Sequence, residues 1–248
     1  MHREDSDMET ESAARANRQR METPRTERDI IVVVGKTGMG KTRWTRAYLR
    51  TLHRIILVDP MAEHQGEEFQ DTDAMIDHIM ENRVFRVRTE AIDDFPMVCS
   101  IAYAARRCVL VVEESQRVLP SGNKELPPSF SDIIYRGRHR RCSLILISQR
   151  ASTIHIAGRS QWTRLIIFNQ TEPNDVAWLL NTTGFDLDPA NLPQGHYYDV
   201  NPGNFQVKQL SDSTPLDSRR NRFDTIEDDE AESIERKDGD TEWESDTS

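Results

Sequence analysis

No stretch of this 248-residue chain approaches the roughly twenty consecutive apolar residues of a membrane-spanning helix, and residues 1–28 lack the apolar core of a signal peptide. Cysteine is scarce as well. Cys99, Cys108 and Cys142 are odd in number and form no C-x-x-C pair, which speaks against a disulfide framework or a zinc site and suits a reducing cytoplasm. His64, His139 and His155 are scattered and suggest no metal set either. Lysine occurs five times against 27 arginines, and no internal repeat is present.

The length allows one ordinary α/β domain with tails. The net charge of −10 is unevenly spread: residues 222–248 carry twelve Asp or Glu against three Lys or Arg, and residues 1–28 carry seven against six. The middle of the chain is therefore neutral, and the acidic balance says nothing against a nucleic-acid-binding core. Residues 211–248, with Glu227-Asp228-Asp229-Glu230 and few apolar side chains, cannot bury enough surface to offset the entropy of ordering them. They read as a disordered acidic tail, either solubilising or a docking peptide. The polar, mixed-charge residues 1–28 read as a disordered extension, which leaves residues 29–210 as the folded domain.

What the chain does contain is Gly35-Lys36-Thr37-Gly38-Met39-Gly40-Lys41-Thr42, the G-x-x-x-x-G-K-[ST] phosphate loop. An apolar run at 30–34 leads in and a helical pattern at 42–52 leads out, the context this motif requires. The glycines let backbone N–H groups close around phosphates, Lys41 reaches the β- and γ-phosphates, and Thr42 offers a hydroxyl to Mg²⁺. ATP and Mg²⁺ are the expected cofactors. Lys36 reads as a solvated loop residue.

Apolar runs at 30–34, 54–59, 84–87, 108–113, 143–148 and 165–168 alternate with helical patterns at 42–52, 71–80, 94–107, 130–136 and 173–180. This predicts a mainly parallel sheet covered by helices on both faces. Thr171 or Asn174 is available to cap the last helix, and turn residues then separate two short strands, 195–199 and 205–210, read as a hairpin. Trp44 and Tyr48, four apart on the first helix, fit core or adenine-side packing better than a base-stacking platform. The 120–128 loop, with Lys124, reads equally as a pore-facing loop or a plain connector.

The run Val109 to Val112 delivers Glu113 and Glu114 at a strand's carboxyl end, where open α/β sheets bind ligands. Glu113 then suits the Mg²⁺ shell, its extra methylene allowing a water-mediated contact, and Glu114 suits polarising an attacking water. The strand at 143–148 puts the Gln149 amide at the same edge, where it can sense a γ-phosphate. Before that strand lies Arg136-Gly137-Arg138-His139-Arg140-Arg141, readable as a solvated helix end, a nucleic-acid contact, or an arginine finger for a neighbouring subunit's site. Arg138 is the first choice for a finger, with Arg136, Arg140 and Arg141 as alternatives.

In this order and spacing the segments resemble the FtsK/HerA-like P-loop ATPases, particularly the packaging ATPases of internal-membrane (double-jelly-roll) viruses and the zonula occludens toxin-like phage proteins. The resemblance spans most of residues 29–210. It is carried by the phosphate loop, by Leu57-Val58-Asp59-Pro60 with Glu63, by Glu113-Glu114, by Gly137-Arg138 leading into the Leu144 to Ser152 segment, and by the acidic helix start after Thr171. Arg141 and Cys142 depart from the small residues usual before the strand, and Glu113 from the usual Asp.

The resemblance implies a RecA/ASCE-type P-loop fold and a homo-oligomeric, hexameric ring moving double-stranded DNA through its centre. It assigns Lys41 to phosphate binding, Thr42 and Glu113 to Mg²⁺, Glu114 to water activation, Gln149 to sensing and Arg138 to the trans finger. The compact size points to viral genome packaging in the host cytoplasm, with capsid or membrane proteins at a packaging vertex as further partners and virion association as a consequence. The alternatives are a phage-assembly ATPase of the zonula occludens toxin type, a cellular or conjugative DNA pump, and a non-motor nucleotide switch.

Overall fold

The computed structural model of the protein describes residues 28–210. The expected disorder of residues 1–28 and 211–248 concerns, apart from Arg28, residues outside that range. A nine-stranded sheet in the order β3-β4-β2-β5-β6-β1-β7-β8-β9 organises the described residues. Its strands are β1 (Ile30–Val34), β2 (Arg54–Val58), β3 (Glu67–Glu68), β4 (Phe85–Thr89), β5 (Val109–Val112), β6 (Ser143–Ser148), β7 (Arg164–Ile167), β8 (His196–Asn201) and β9 (Asn204–Gln209). The first seven pair in parallel; β8 and β9 add an antiparallel hairpin at one edge.

The apolar runs lack in/out alternation because both faces are covered. On β1, Ile31 and Val33 pack with Trp44 and Leu49 of α1 (Lys41–Leu49) on one face. Ile30, Val32 and Val34 join the larger core on the other. That core is closed by α2 (Thr72–Glu81), α3 (Phe95–Ala105), α4 (Pro128–Ser131), α5 (Ile156–Gln161) and α6 (Pro173–Thr183). Trp44 is fully buried and stacks on Tyr48, centroids 5.2 Å apart, so the pair serves packing as expected.

Several boundaries differ from the sequence reading for local reasons. The first helix ends at Leu49 rather than 52, and the third ends at Ala105 because Arg106 turns to positive φ. Residues 130–136 are not one regular helix: α4 gives way to a π-helical turn, Asp132–Arg136, then a 3₁₀ turn, Gly137–Arg140. Arg28 enters there, its guanidinium donating to the carbonyls of Ile133 and Ile134, which are thereby satisfied away from a regular ladder. The last helix is capped neither by Thr171 nor by Asn174; Glu172 is the N-cap without a side-chain bond, and Pro173 opens the helix.

The hairpin is tied to the sheet by charge. Arg164 on β7 donates twice to Asp199 on β8, both at 2.7 Å, and Lys208 on β9 donates at 2.6 Å to the same carboxylate, which is only 3% exposed. Burial pushes the Asp199 carboxyl up, but the two cations win and hold it below its ordinary value. The stabilisation is therefore fully present above the ordinary carboxylate range and disappears as pH falls through the lowered value. Arg164→Leu is expected to cost about 3 kcal/mol by thermal unfolding at neutral pH, with a smaller deficit in acid.

Candidate nucleotide-binding site

The strand order builds the site. Because β6 lies between β1 and β5, with Val34 beside Ser148 and Val112 beside Leu146, Gly35, Gln149 and Glu113-Glu114 leave the sheet along one edge. β2 adds Asp59 and the turn to Glu63, fixed by Asp59 N–H donating to the Thr89 carbonyl and Glu113 N–H to the Val58 carbonyl, both at 2.9 Å. The resulting cleft holds about 230 Å³ and is lined by the phosphate loop together with Glu63, Glu113, Glu114 and Gln149.

The loop is shaped for an anion. Gly40 caps α1 in a left-handed conformation without a side-chain cap bond, and the first turn of α1 carries no acidic residue, so its N–H groups remain open to a phosphate. Lys41 Nζ lies 3.2 Å from the Lys36 carbonyl, folded back along the loop. Burial pushes the Lys41 ammonium down, and Glu113, Glu114 and Glu63 pull it back up. The Lys36 side chain is exposed, as expected of a solvated loop residue. The C-terminal segment buttresses the loop: Gly195 N–H donates to the Met39 carbonyl at 3.1 Å and Gln194 Nε2 to the Gly38 carbonyl at 2.9 Å.

Glu114 sits at φ 47, ψ 49, a strained left-handed position that turns its carboxylate into the cleft. Both oxygens are held by amides. Gln149 Nε2 donates to Oε1 at 2.7 Å, and Gln116 Nε2 donates to Oε2. Gln149 in turn accepts from the Thr37 hydroxyl at 3.2 Å, and Gln116 accepts from Ser148 at 3.0 Å. The sensing amide expected at Gln149 is thus bonded to the phosphate loop on one side and to the expected water activator on the other.

Glu113 is buried beside His64, whose Nε2 lies 2.5 Å from Glu113 Oε1. Asp59 Oδ2 accepts the His64 backbone N–H at 2.7 Å and so fixes that side chain's origin. Burial raises the Glu113 pKa, and the His64 contact opposes the rise. The Thr42 hydroxyl donates to Glu63 at 2.6 Å. Asp59 Oδ1 is buried with no partner among the described residues. This all-oxygen set fits Mg²⁺, which keeps several waters and takes phosphate oxygens. Among the described residues no group of three or more His, Cys, Asp or Glu forms a ready-made cage, and a phosphate-bound magnesium needs none.

Glu63, His64 and Gln116 acquire their contacts only in the fold. Glu63 had a signal in its strand-end segment but no assigned role; His64 looked like one scattered histidine and lies 49 residues from its partner. Arg138 is not brought to the cleft. It is exposed on the turn before β6, whereas Gln149 follows β6, so it stands about 20 Å from its own site by strand rise. A finger role for it is open only towards a neighbouring copy. The three cysteines are free and buried; Cys108 and Cys142 lie 3.9 Å apart between sulfurs.

Residues 25–153 match the AAA domain family. No curated protein matches the chain. Among solved structures, the chain is similar to the genome packaging NTPase B204 from Sulfolobus turreted icosahedral virus 2 in complex with AMPPCP, at 20% identity and a TM-score of 0.63 over 74% of this chain and 98% of that one. It is also similar to B204, the DNA-packaging ATPase from Sulfolobus turreted icosahedral virus, at 17% identity and 0.61 over the same shares. The cytoplasmic domain of the Thermomonospora curvata Type VII secretion ATPase EccC matches at 12% identity and 0.51, over 75% of this chain and 24% of that one. At such identities the likeness shows the fold: a P-loop NTPase with a mostly parallel sheet. Among the described residues no helix is long and apolar enough to cross a membrane.

Proposed function

The chain belongs to the AAA domain family, and from that premise we propose that it is an ATP-driven translocase of double-stranded DNA that packages a viral genome into a preformed capsid. The observation that carries the reading is the bond chain Thr37–Gln149–Glu114. It couples the loop that binds the γ-phosphate to the carboxylate that activates water, the arrangement a motor needs to tie hydrolysis to occupancy. The fold likeness to the B204 packaging enzymes, nearly all of whose length is covered, supports the choice of polymer.

Glu114 accepts the proton as water oxygen attacks the γ-phosphorus and ADP leaves, while Lys41 holds the phosphate oxygens. Thr42 and Glu113 would hold magnesium, which supplies neutralisation of phosphate charge; Glu63 and His64 orient those two groups. His64→Ala leaves Glu113 without its partner and is expected to raise the Mg²⁺ concentration that supports ATP binding about tenfold, read by nucleotide-binding titration. In the hexameric ring, Arg138 serves the neighbour's site, and capsid or membrane proteins at the packaging vertex receive the assembly, in the host cytoplasm and then with the virion.

Purified full chain is expected to hydrolyse ATP, with duplex DNA raising the rate and salt suppressing that stimulation. Hydrolysis that DNA does not raise at any salt concentration would remove the motor from this account.

A further inference from the structure

Five residues other than glycine take positive φ among the described residues: Ala62, Arg106, Arg107, Glu114 and Arg141. Ala62 and Glu114 belong to the nucleotide site, where such strain has a use. The other three are arginines at the opposite end of the sheet, Arg106 and Arg107 leading into β5 and Arg141 into β6. Arg106, at φ 54 and ψ 163, occupies a region that is essentially glycine's alone, and Arg141, at φ 52 and ψ 38, is left-handed. Glycine would relieve the backbone at each position, yet arginine stands there.

The two turns are locked together. Arg107 N–H donates to the Arg140 carbonyl at 2.9 Å, Arg141 N–H to the Arg138 carbonyl at 3.2 Å, and Cys142 N–H to the Gly137 carbonyl at 2.9 Å. The Arg140 guanidinium lies over the Tyr103 ring, 5.1 Å from its centroid. Of the basic run only Arg136 pairs with a described carboxylate, Asp132 at 3.0 Å; Arg106, Arg107, Arg138, Arg140 and Arg141 pair with none among the described residues. With Arg138 assigned to the neighbour's site, Arg106, Arg107, Arg140 and Arg141 stand together on one pole on backbone fixed by these turns, and a guanidinium is a planar fork suited to phosphate oxygens.

We propose that this pole is a binding site for the phosphodiester backbone of nucleic acid, separate from the nucleotide cleft, with Arg106 and Arg107 as phosphate contacts. The proposal rests on the translocase reading and says where the polymer is gripped. The chain's own acidic tail is the competing occupant, but its carboxylates are irregularly spaced along the sequence and need no array set on strained backbone, whereas a regular phosphate repeat rewards one.

The test is the full-length Arg106→Gly/Arg107→Gly chain, which should fold at least as well because glycine accepts positive φ. With a fluorescein-labelled DNA duplex, anisotropy should show affinity at least tenfold weaker than wild type at fixed salt. The slope of log affinity against log salt should be shallower by about 0.9 for each lost phosphate contact. Basal ATPase should be unchanged and DNA stimulation reduced. If wild type is stimulated by DNA while the variant keeps full affinity and slope, the pole is overturned and the translocase reading stands. If wild type neither binds nor responds to DNA, both fall. A cross-link from a photoreactive residue introduced by Trp243→p-benzoylphenylalanine to residues 136–141, undisplaced by DNA, would assign the pole to the tail and overturn the proposal.

Discussion

Replacing Glu114 with glutamine is expected to leave ATP binding intact while turnover falls about 10²- to 10⁴-fold, the range by which a positioned general base accelerates proton transfer. The isostere keeps shape and removes basicity. It also places an amide among the amides of Gln149 and Gln116, both of which donate to the native carboxylate. Oε1 or Oε2 becomes an NH₂ group facing a donor, so one partner must turn over. The Gln149 amide is also bonded to Thr37, so the substitution should uncouple the phosphate loop from Glu114 as well. Equilibrium binding of a fluorescent ATP analogue and single-turnover hydrolysis separate the two effects. Turnover within tenfold of wild type would move the base elsewhere, with Glu63 an alternative carboxylate lining the cleft.

The second large effect is structural. Gly35→Ala should lower stability by about 3 kcal/mol or more, because the new Cβ would overlap a well-packed neighbour in a backbone conformation that side chains avoid. Gly35 has φ 155, and a Cβ there would lie 2.4 Å from Phe168 Cβ and 3.2 Å from its Cα. Phe168 cannot move aside cheaply: it is fully buried, packs on Tyr197 with centroids 5.3 Å apart, and its N–H donates to the Val34 carbonyl at 2.8 Å. The loss should appear as a fall in melting temperature of about 6–12 °C for a domain of this size. An unchanged melting temperature would mean that the loop and the end of β7 are not in this contact.

The edge that carries the candidate nucleotide site was largely legible in the sequence because its signals are local. β1 and β6 fall on the residues expected, since β-branched runs bounded by polar turns admit few other readings. The phosphate loop, Glu113-Glu114 and Gln149 meet as expected because each directly follows such a strand. What escaped depends on partners distant in sequence. β3 is two glutamates that become a strand only by pairing with Val87 and Arg88, and no composition rule marks them. The His64–Glu113 contact joins the tips of β2 and β5, and nothing in a single sequence reports that adjacency. The remoteness of Arg138 from its own site does follow from order alone, because it precedes a parallel strand whose far end carries Gln149.

In the proposed reading, the polymer and the nucleotide are held at opposite ends of one sheet. β5 and β6 run between them, with Arg106 and Arg107 before the first, Arg141 before the second, and Glu113-Glu114 and Gln149 at their far ends. Such strands would give hydrolysis a rigid route to the polymer.

The central claim is that hydrolysis moves DNA. The direct measurement is displacement of a triplex-forming strand from duplex DNA by the full-length chain in the presence of ATP and Mg²⁺. The account predicts displacement that requires hydrolysable ATP and is lost in Glu114→Gln. DNA-stimulated hydrolysis without any displacement would contradict it.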